Sequence, residues 1–306
     1  MKIFYVLLGV CIAFLAVVVI QHLRYLSIRR NSAQDMQAPF HRRDVFHVIT
    51  FFDIRDGEKI LQATESYLRK IRGIGQSRLI YAGHAAFVLP AAQLGEQLWD
   101  GVFMHEYKSR AEYERVADQL KRRAAECFHD YHFHGMRRNR VFSLLIPVLL
   151  LRIRITALLR GKRRLPPLEH MPAFKKSSDY GLWRQRVARL RAHGKINSDG
   201  LVVFSLIKRG NAEQRKAHEV YSRQMMSRMS TMDHGPLHIG HAVGIQGNAR
   251  FDDAYIVHYP SANYFADLLS SEFYQGIVQG KQVADTVVVP TIPITDQLLE
   301  ALHDQV

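Results

Sequence analysis

Apolar and polar positions alternate along this chain in three distinct ways. Ile3 to Ile20 is a run of 18 residues without a charge or a proline, meeting the lower end of the roughly 17–25 residues a bilayer core requires. Two later stretches each interleave β-rich runs with helical ones. In the second of them Leu201–Ile207 reads as a strand, and Ala212 to Met232 as a helix rich in strong helix formers. Leu237–Ile245 and Ala254–Tyr259 read as strands. A helix capped by Ser261 follows, with Phe265, Leu268 and Leu269 spaced for one apolar face, and Thr286–Val289 closes the set. The first stretch matches it with Val45–Phe52, Gly57–Ile71, Leu79–Leu89, Val102–Tyr107 and a helix from Ser109 to about Phe128. The order is β-α-β-β-α-β in both, although an apolar segment at Val141 obscures the last strand of the first copy.

The two stretches also share residues. Gly83-His84-Ala85 recurs as Gly240-His241-Ala242, and Trp99-Asp100 through Tyr107-Lys108-Ser109 aligns without a gap on Phe251-Asp252 through Tyr259-Pro260-Ser261. Asp100 meets Asp252, Phe103 meets Tyr255, Tyr107 meets Tyr259 and Ser109 meets Ser261. Self-similarity at long period implies two copies of one small domain. A β-α-β-β-α-β unit covers one sheet face with its helices and leaves the other bare, so the copies are expected to press their open faces together, closing a barrel with a cavity between the sheets, helices outside.

Between the copies lies Val141–Leu151, too short to span a bilayer and followed by Arg152, Arg154, Arg160 and Arg163. Apolar residues with a cationic flank suit a segment lying in a membrane interface; a buried strand closing the first domain is the competing reading. Residues 160–198, with Pro166-Pro167 and Pro172, read as a connector holding one short basic helix.

Composition sharpens this picture. The net charge of +14 is uneven: residues 196–306 carry 8 Lys/Arg against 12 Asp/Glu, a net −4, leaving 34 against 16, or +18, in residues 1–195. The basic excess thus accompanies the apolar segments, which favours an anionic membrane surface as partner over nucleic acid. Arginines 24, 29 and 30 follow the first apolar run, so the positive-inside rule places the bulk of the chain in the cytoplasm, tethered by a single pass. Cys11 and Cys127 make no disulfide framework.

Tyr259-Pro260-Ser261, followed by Ser271-Glu272-Phe273-Tyr274-Gln275, together with the tandem β-α-β-β-α-β order, resembles the dimeric α/β-barrel superfamily, whose fold is ferredoxin-like. The first copy keeps Tyr107-Lys108-Ser109 but has no equivalent of Phe273-Tyr274-Gln275. The resemblance covers about 200 residues and is to small members of unknown function. It implies a fold; the superfamily includes monooxygenases, isomerases and haem enzymes as well as proteins with no known activity, so no catalytic set and no cofactor carries over.

The candidate pocket residues are His84, His241, Asp100, Asp252, Tyr255 and Tyr259. A histidine after a strand glycine suits an acid, a base or a ligand at an inter-sheet cavity, and equally a bulge where backbones approach. The two aspartates suit turn or cap acceptors as well as bases, and the tyrosines suit core packing with hydroxyls at the rim. His241 is expected nearer the pocket than His84, its connection to the following aspartate being shorter. His129, His132 and His134 read as a basic helix end rather than a metal site, for no further ligand motif accompanies them. There is no phosphate loop, nucleophile elbow or dinucleotide fingerprint.

The combined expectation is an α+β protein: residues 1–30 a transmembrane anchor, 44–140 the first ferredoxin-like repeat, 141–198 a membrane-surface segment and linker, and 199–306 the second repeat, the two repeats packed sheet to sheet. Its function would be binding of a small apolar or lipid-like ligand, or a partner, at the membrane. The alternative is a monooxygenase or isomerase acting on a hydrophobic substrate.

Overall fold

The computed structural model describes residues 2–32, 45–138 except 56, 152, 155, 159, 185–192, 200–231, and 236–303 except 260. The first repeat contributes β1 (Phe46–Asp53), α2 (Ile60–Ile71), β2 (Ser77–Ala85), β3 (Gly101–Tyr107), α3 (Arg110–Cys127) and β4 (Asp130–Arg138). The second contributes β5 (Leu201–Lys208), α4 (Ala212–Thr231), β6 (Pro236–Gly244), β7 (Asp253–Tyr259), α5 (Ala262–Ser270), α6 (Glu272–Ile277) and β8 (Asp285–Pro293), and α7 (Thr295–His303) follows. Ahead of both stands α1 (Lys2–Ser32).

All eight strands form one closed barrel in the order β1-β3-β2-β8-β5-β7-β6-β4. Each repeat supplies a ferredoxin-like run of four, β4-β1-β3-β2 and β8-β5-β7-β6, and two antiparallel seams, β2–β8 and β4–β6, join them. This corrects the expected sheet-to-sheet packing around a cavity: the repeats join edge to edge, and side chains from both fill the space between them. The edge strands of each repeat would otherwise present unpaired N–H and C=O groups, and pairing them with the other repeat abolishes the edges.

Period-two alternation then sorts the side chains. Ile49, Phe51, Met104, Met136, Phe204, Ile256 and Val289 fill the barrel interior as one apolar cluster drawn from both repeats. The opposite residues face outward under the helices. On the first repeat Phe52, Phe103, Phe133 and Tyr107 pack beneath α2 and α3 together with Leu298 of α7. On the second, Val203, Tyr259 and Val288 pack with Met225, Phe265 and Leu269.

The duplicated Gly-His-Ala motif is the seam itself. Gly83, His84 and Ala85 pair with Pro293, Ile292 and Thr291 of β8; Gly240, His241 and Ala242 pair with Arg138, Arg137 and Met136 of β4. A Cβ on Gly240 would lie 2.5 Å from the Arg137 carbonyl oxygen, and one on Gly83 would lie 2.8 Å from Thr291 Cβ. At Gly240 the backbone of the joined strand leaves no room for a side chain, and at Gly83 the Tyr81 ring of its own strand, 2.6 Å away at the hydroxyl, and Thr291 across the seam take the space.

Two expectations fail for local reasons. Residues 130–138 are strand β4, not a helix end: α3 stops at Cys127, and His132 and His134 alternate inward opposite Phe51 and Ile49. Alternating His-Phe-His reads ambiguously by period, and the partner strand decides it. The anchor is the second. Lys2–Ser32 is helical with exposed apolar side chains such as Phe4, Leu7 and Leu15, yet among the described residues no helix is long and apolar enough to cross a membrane. The uncharged run of 18 sits at the short edge of the spanning range, and the helix continues through Arg24, Arg29 and Arg30. The single-pass anchor, and the membrane placement and cytoplasmic orientation built on it, are therefore withdrawn. Val141–Leu151, Arg154, Arg160 and Arg163 lie outside the described residues; Arg152 is exposed.

Replacing Gly240 by valine is expected to lower stability by about 2–4 kcal/mol, since backbone on the partner strand must give way. His241→Ala, whose side chain is exposed, should change it by less than about 0.5 kcal/mol. Urea-denaturation midpoints of the two variants check the contrast.

Candidate functional site

The second repeat holds a cavity of about 210 Å³ between the outer face of its sheet and the helices that cover it. Val203, Ser205 and Ile207 of β5 and Tyr255, Val257 and Tyr259 of β7 form its floor. His218, Tyr221, Ser222, Met225 and Met226 of α4 form one wall, and Phe265, Leu269, Tyr274 and Lys281 the other. Phe87 and Leu89, from the loop after β2 of the first repeat, reach in as well.

Its lining is graded. Ser205 pairs with Tyr255 on the sheet, two residues from the Ile207–Asp253 pair at the end where β5 leaves for α4. His218 lies early in α4, and Lys281 follows the 3-10 turn Val278–Gly280, which packs on α4 where a Cβ on Gly280 would stand 3.5 Å from Tyr221 Cβ. Ser205, Tyr255, His218 and Lys281 therefore gather at one end, while Met225, Met226, Val257 and Phe265 make much of the remainder apolar, beside Ser222, Tyr221, Tyr259 and Tyr274.

The electrostatics follow from this burial. Desolvation pushes the Lys281 ammonium down to about 8. Among the described residues no carboxylate stands within ion-pair distance of it. Burial, and then the charge of Lys281, lowers His218, whose Nδ1 has no hydrogen-bond partner. Tyr255 and Tyr274 are pushed up to about 12 by burial, so both are neutral hydroxyl donors near pH 7. The nearby Asp253 is already held by Arg209, whose Nε and Nη2 each donate to it at 2.7 Å.

The same place in the first repeat is solid. Phe103, the counterpart of Tyr255, stacks at 4.6 Å on Phe52 and at 5.6 Å on Tyr67 of α2. Phe128 closes the group, 5.0 Å from Tyr67. One repeat fills its helix–sheet layer with aromatic rings and the other leaves it open.

Of the six sequence candidates, Tyr255 and Tyr259 line the cavity and the other four lie elsewhere. His84 is half-buried on the outer barrel face at the β2–β8 seam. His241 has a side chain 60% exposed, with Nδ1 3.9 Å from Asp253. Asp100 and Asp252 play one duplicated role: Oδ2 of Asp100 accepts from the Ile54 N–H at 2.9 Å, and Oδ2 of Asp252 accepts from the Arg209 N–H at 2.7 Å. Each satisfies the backbone just past the first strand of its repeat. The barrel interior holds His132 and His134, which desolvation lowers to about 4 and about 3. Among the described residues no three His, Cys, Asp or Glu side chains stand together to hold a metal ion.

Lys281 and His218 escaped the sequence reading. A signal for the lysine was present, since it is the one Lys or Arg between residue 251 and the carboxyl terminus.

No family model and no curated protein matches the chain. Among solved structures it is similar to a mutant chlorite dismutase from Candidatus Nitrospira defluvii in complex with cyanide, at 9% identity and a TM-score of 0.44 over 86% of this chain and 96% of that one. A putative dyp-type peroxidase protein from Shewanella oneidensis is 7% identical with a TM-score of 0.42, covering 86% and 97%. An anthrone oxidase-like protein is 10% identical with a TM-score of 0.41, covering 82% and 92%. The assignment of the ferredoxin-like α/β barrel rests on the strand order and the two seams, not on these likenesses.

Lys281 also predicts a pH signature. Its folded pKa lies below the ordinary 10.5, so the folded state binds fewer protons than the unfolded one between about 8 and 10.5. Stability then rises with pH across that window, and below it the partly desolvated charge is a standing cost. Lys281→Met should raise the urea midpoint at pH 7 and abolish the gain between pH 8 and pH 10.

Proposed function

We propose that this protein binds a small, elongated apolar molecule with a polar group at one end, in the cavity between α4 and the second sheet. The carrying observation is the asymmetry between the repeats. At one position the first repeat is packed with Phe52, Phe103, Tyr67 and Phe128, and the second keeps about 210 Å³ open behind a graded wall. An apolar pocket with a few convergent polar groups is the usual form of a small-molecule site. Since a cavity of ~150 Å³ accepts benzene, this one suits roughly eight to twelve non-hydrogen atoms.

A second reading, an isomerase moving a proton on such a molecule, draws on His218. Its Nδ1 lacks a partner at the polar end, and its lowered pKa leaves it a neutral base at pH 7. Deuterium uptake into a bound substrate, lost in His218→Gln, would favour that reading over simple binding.

The cavity is tested with 1-octanol as a neutral probe. Its addition should raise the melting temperature in proportion to the logarithm of its concentration. Met226→Trp, which fills the apolar end, should remove the shift while leaving the protein folded. If 1-octanol, octanoate and indole all leave the melting temperature unchanged, the reading is wrong.

A further inference from the structure

Lys281 is a cation without a counter-ion in a setting that should have supplied one. The second repeat is the acidic part of the chain, with a net −4 over residues 196–306, yet no carboxylate among the described residues reaches this ammonium. Asp253, whose charge reaches His218, is taken up by two 2.7 Å bonds from Arg209. The Lys281 side chain is half-buried, and an ammonium partly withdrawn from water without a partner is destabilising; it lines a largely apolar and aromatic cavity. The titratable groups that share the cavity with it are His218 and Tyr221 of α4, Tyr255 and Tyr259 of β7 and Tyr274 of α6, none of which is an acid at neutral pH.

We infer that the ligand of this cavity is a carboxylic acid, its carboxylate held by Lys281 at the polar end and its aliphatic or aromatic body lying along α4. The inference rests on the reading that the cavity takes an apolar molecule and adds the charge of its head. A carboxylate arriving there gains a charge-assisted hydrogen bond from the ammonium and removes the cost of the unpaired cation. Tyr255 and Ser205, adjacent on the sheet, offer hydroxyl donors to its second oxygen. A neutral head relieves nothing at Lys281, and a cationic one adds repulsion. The site thereby selects by charge at one end and by apolar length at the other.

The full chain is titrated calorimetrically with octanoate and with 1-octanol, at pH 7 and pH 9. Octanoate is expected to bind at least tenfold more tightly than 1-octanol at pH 7, although the alcohol is the less water-loving of the two. Between pH 7 and pH 9 its affinity should fall about fivefold to tenfold as the Lys281 ammonium loses its proton, while that of 1-octanol stays level. His218, already neutral at pH 7, and the raised tyrosines do not titrate in that interval. Lys281→Met should abolish the preference and keep 1-octanol binding; Lys281→Arg should keep the preference and lose the fall at pH 9. Equal affinity for the two probes, or a preference untouched by Lys281→Met, overturns the carboxylate inference and leaves the apolar cavity standing. Binding of neither probe overturns both.

Discussion

The hydrogen bonds across the β2–β8 and β4–β6 seams are what the rest of this molecule depends on. Each repeat alone is a four-stranded sheet with two bare edges and one bare face. Joining the edges closes the barrel, and closure in turn brings Ile49, Met104 and Met136 of one repeat against Phe204, Ile256 and Val289 of the other. The interior cluster therefore exists only because the seams form. The seams also dictate sequence. Gly240 sits where a Cβ would meet the Arg137 backbone of the joined strand, and Gly83 where one would meet the Tyr81 and Thr291 side chains at the other seam.

With the interior filled by side chains, ligand-sized space is left on the outside of the barrel, in the layer between sheet and helices. There the pseudo-symmetry breaks. The backbone roles are duplicated faithfully: Asp100 and Asp252 accept equivalent N–H groups, and Ser109 and Ser261 cap equivalent helices by accepting from Glu112 and Tyr264 N–H. The helix-facing side chains are not. Phe103 stacks between neighbours in one copy, whereas Tyr255 borders open space in the other. The carboxyl-terminal α7 returns to the first repeat, where Leu298 joins the aromatic layer, so the second repeat keeps its cavity without that extra cover. Identical scaffolds with different fillings separate the structural half of the barrel from the half with capacity for a ligand.

The sequence by itself determined the repeat, the β-α-β-β-α-β order of the second copy and all but the last strand of the first, and residues suited to serve the backbone. These are local properties: a serine capping a helix, an aspartate meeting the N–H groups beyond a strand, and alternation with a period of two act through neighbours a few residues away. It could not determine what a strand edge would meet. Only the tertiary structure showed that Gly-His-Ala is a seam rather than a cavity wall, that His132 and His134 belong to a strand facing Phe51 and Ile49, and that the sheets join by their edges. Nor did the apolar run of α1 carry the conclusion drawn from it, since hydrophobicity over a length just at threshold leaves the outcome to the helix as a whole. The cavity is the extreme case. Lys281, His218 and Tyr255 stand far apart along the chain, and their meeting follows from the packing of α4 over β5 and β7. Empty space has no sequence signature, because it is defined by what surrounding side chains fail to fill, and that is decided only when they are packed together.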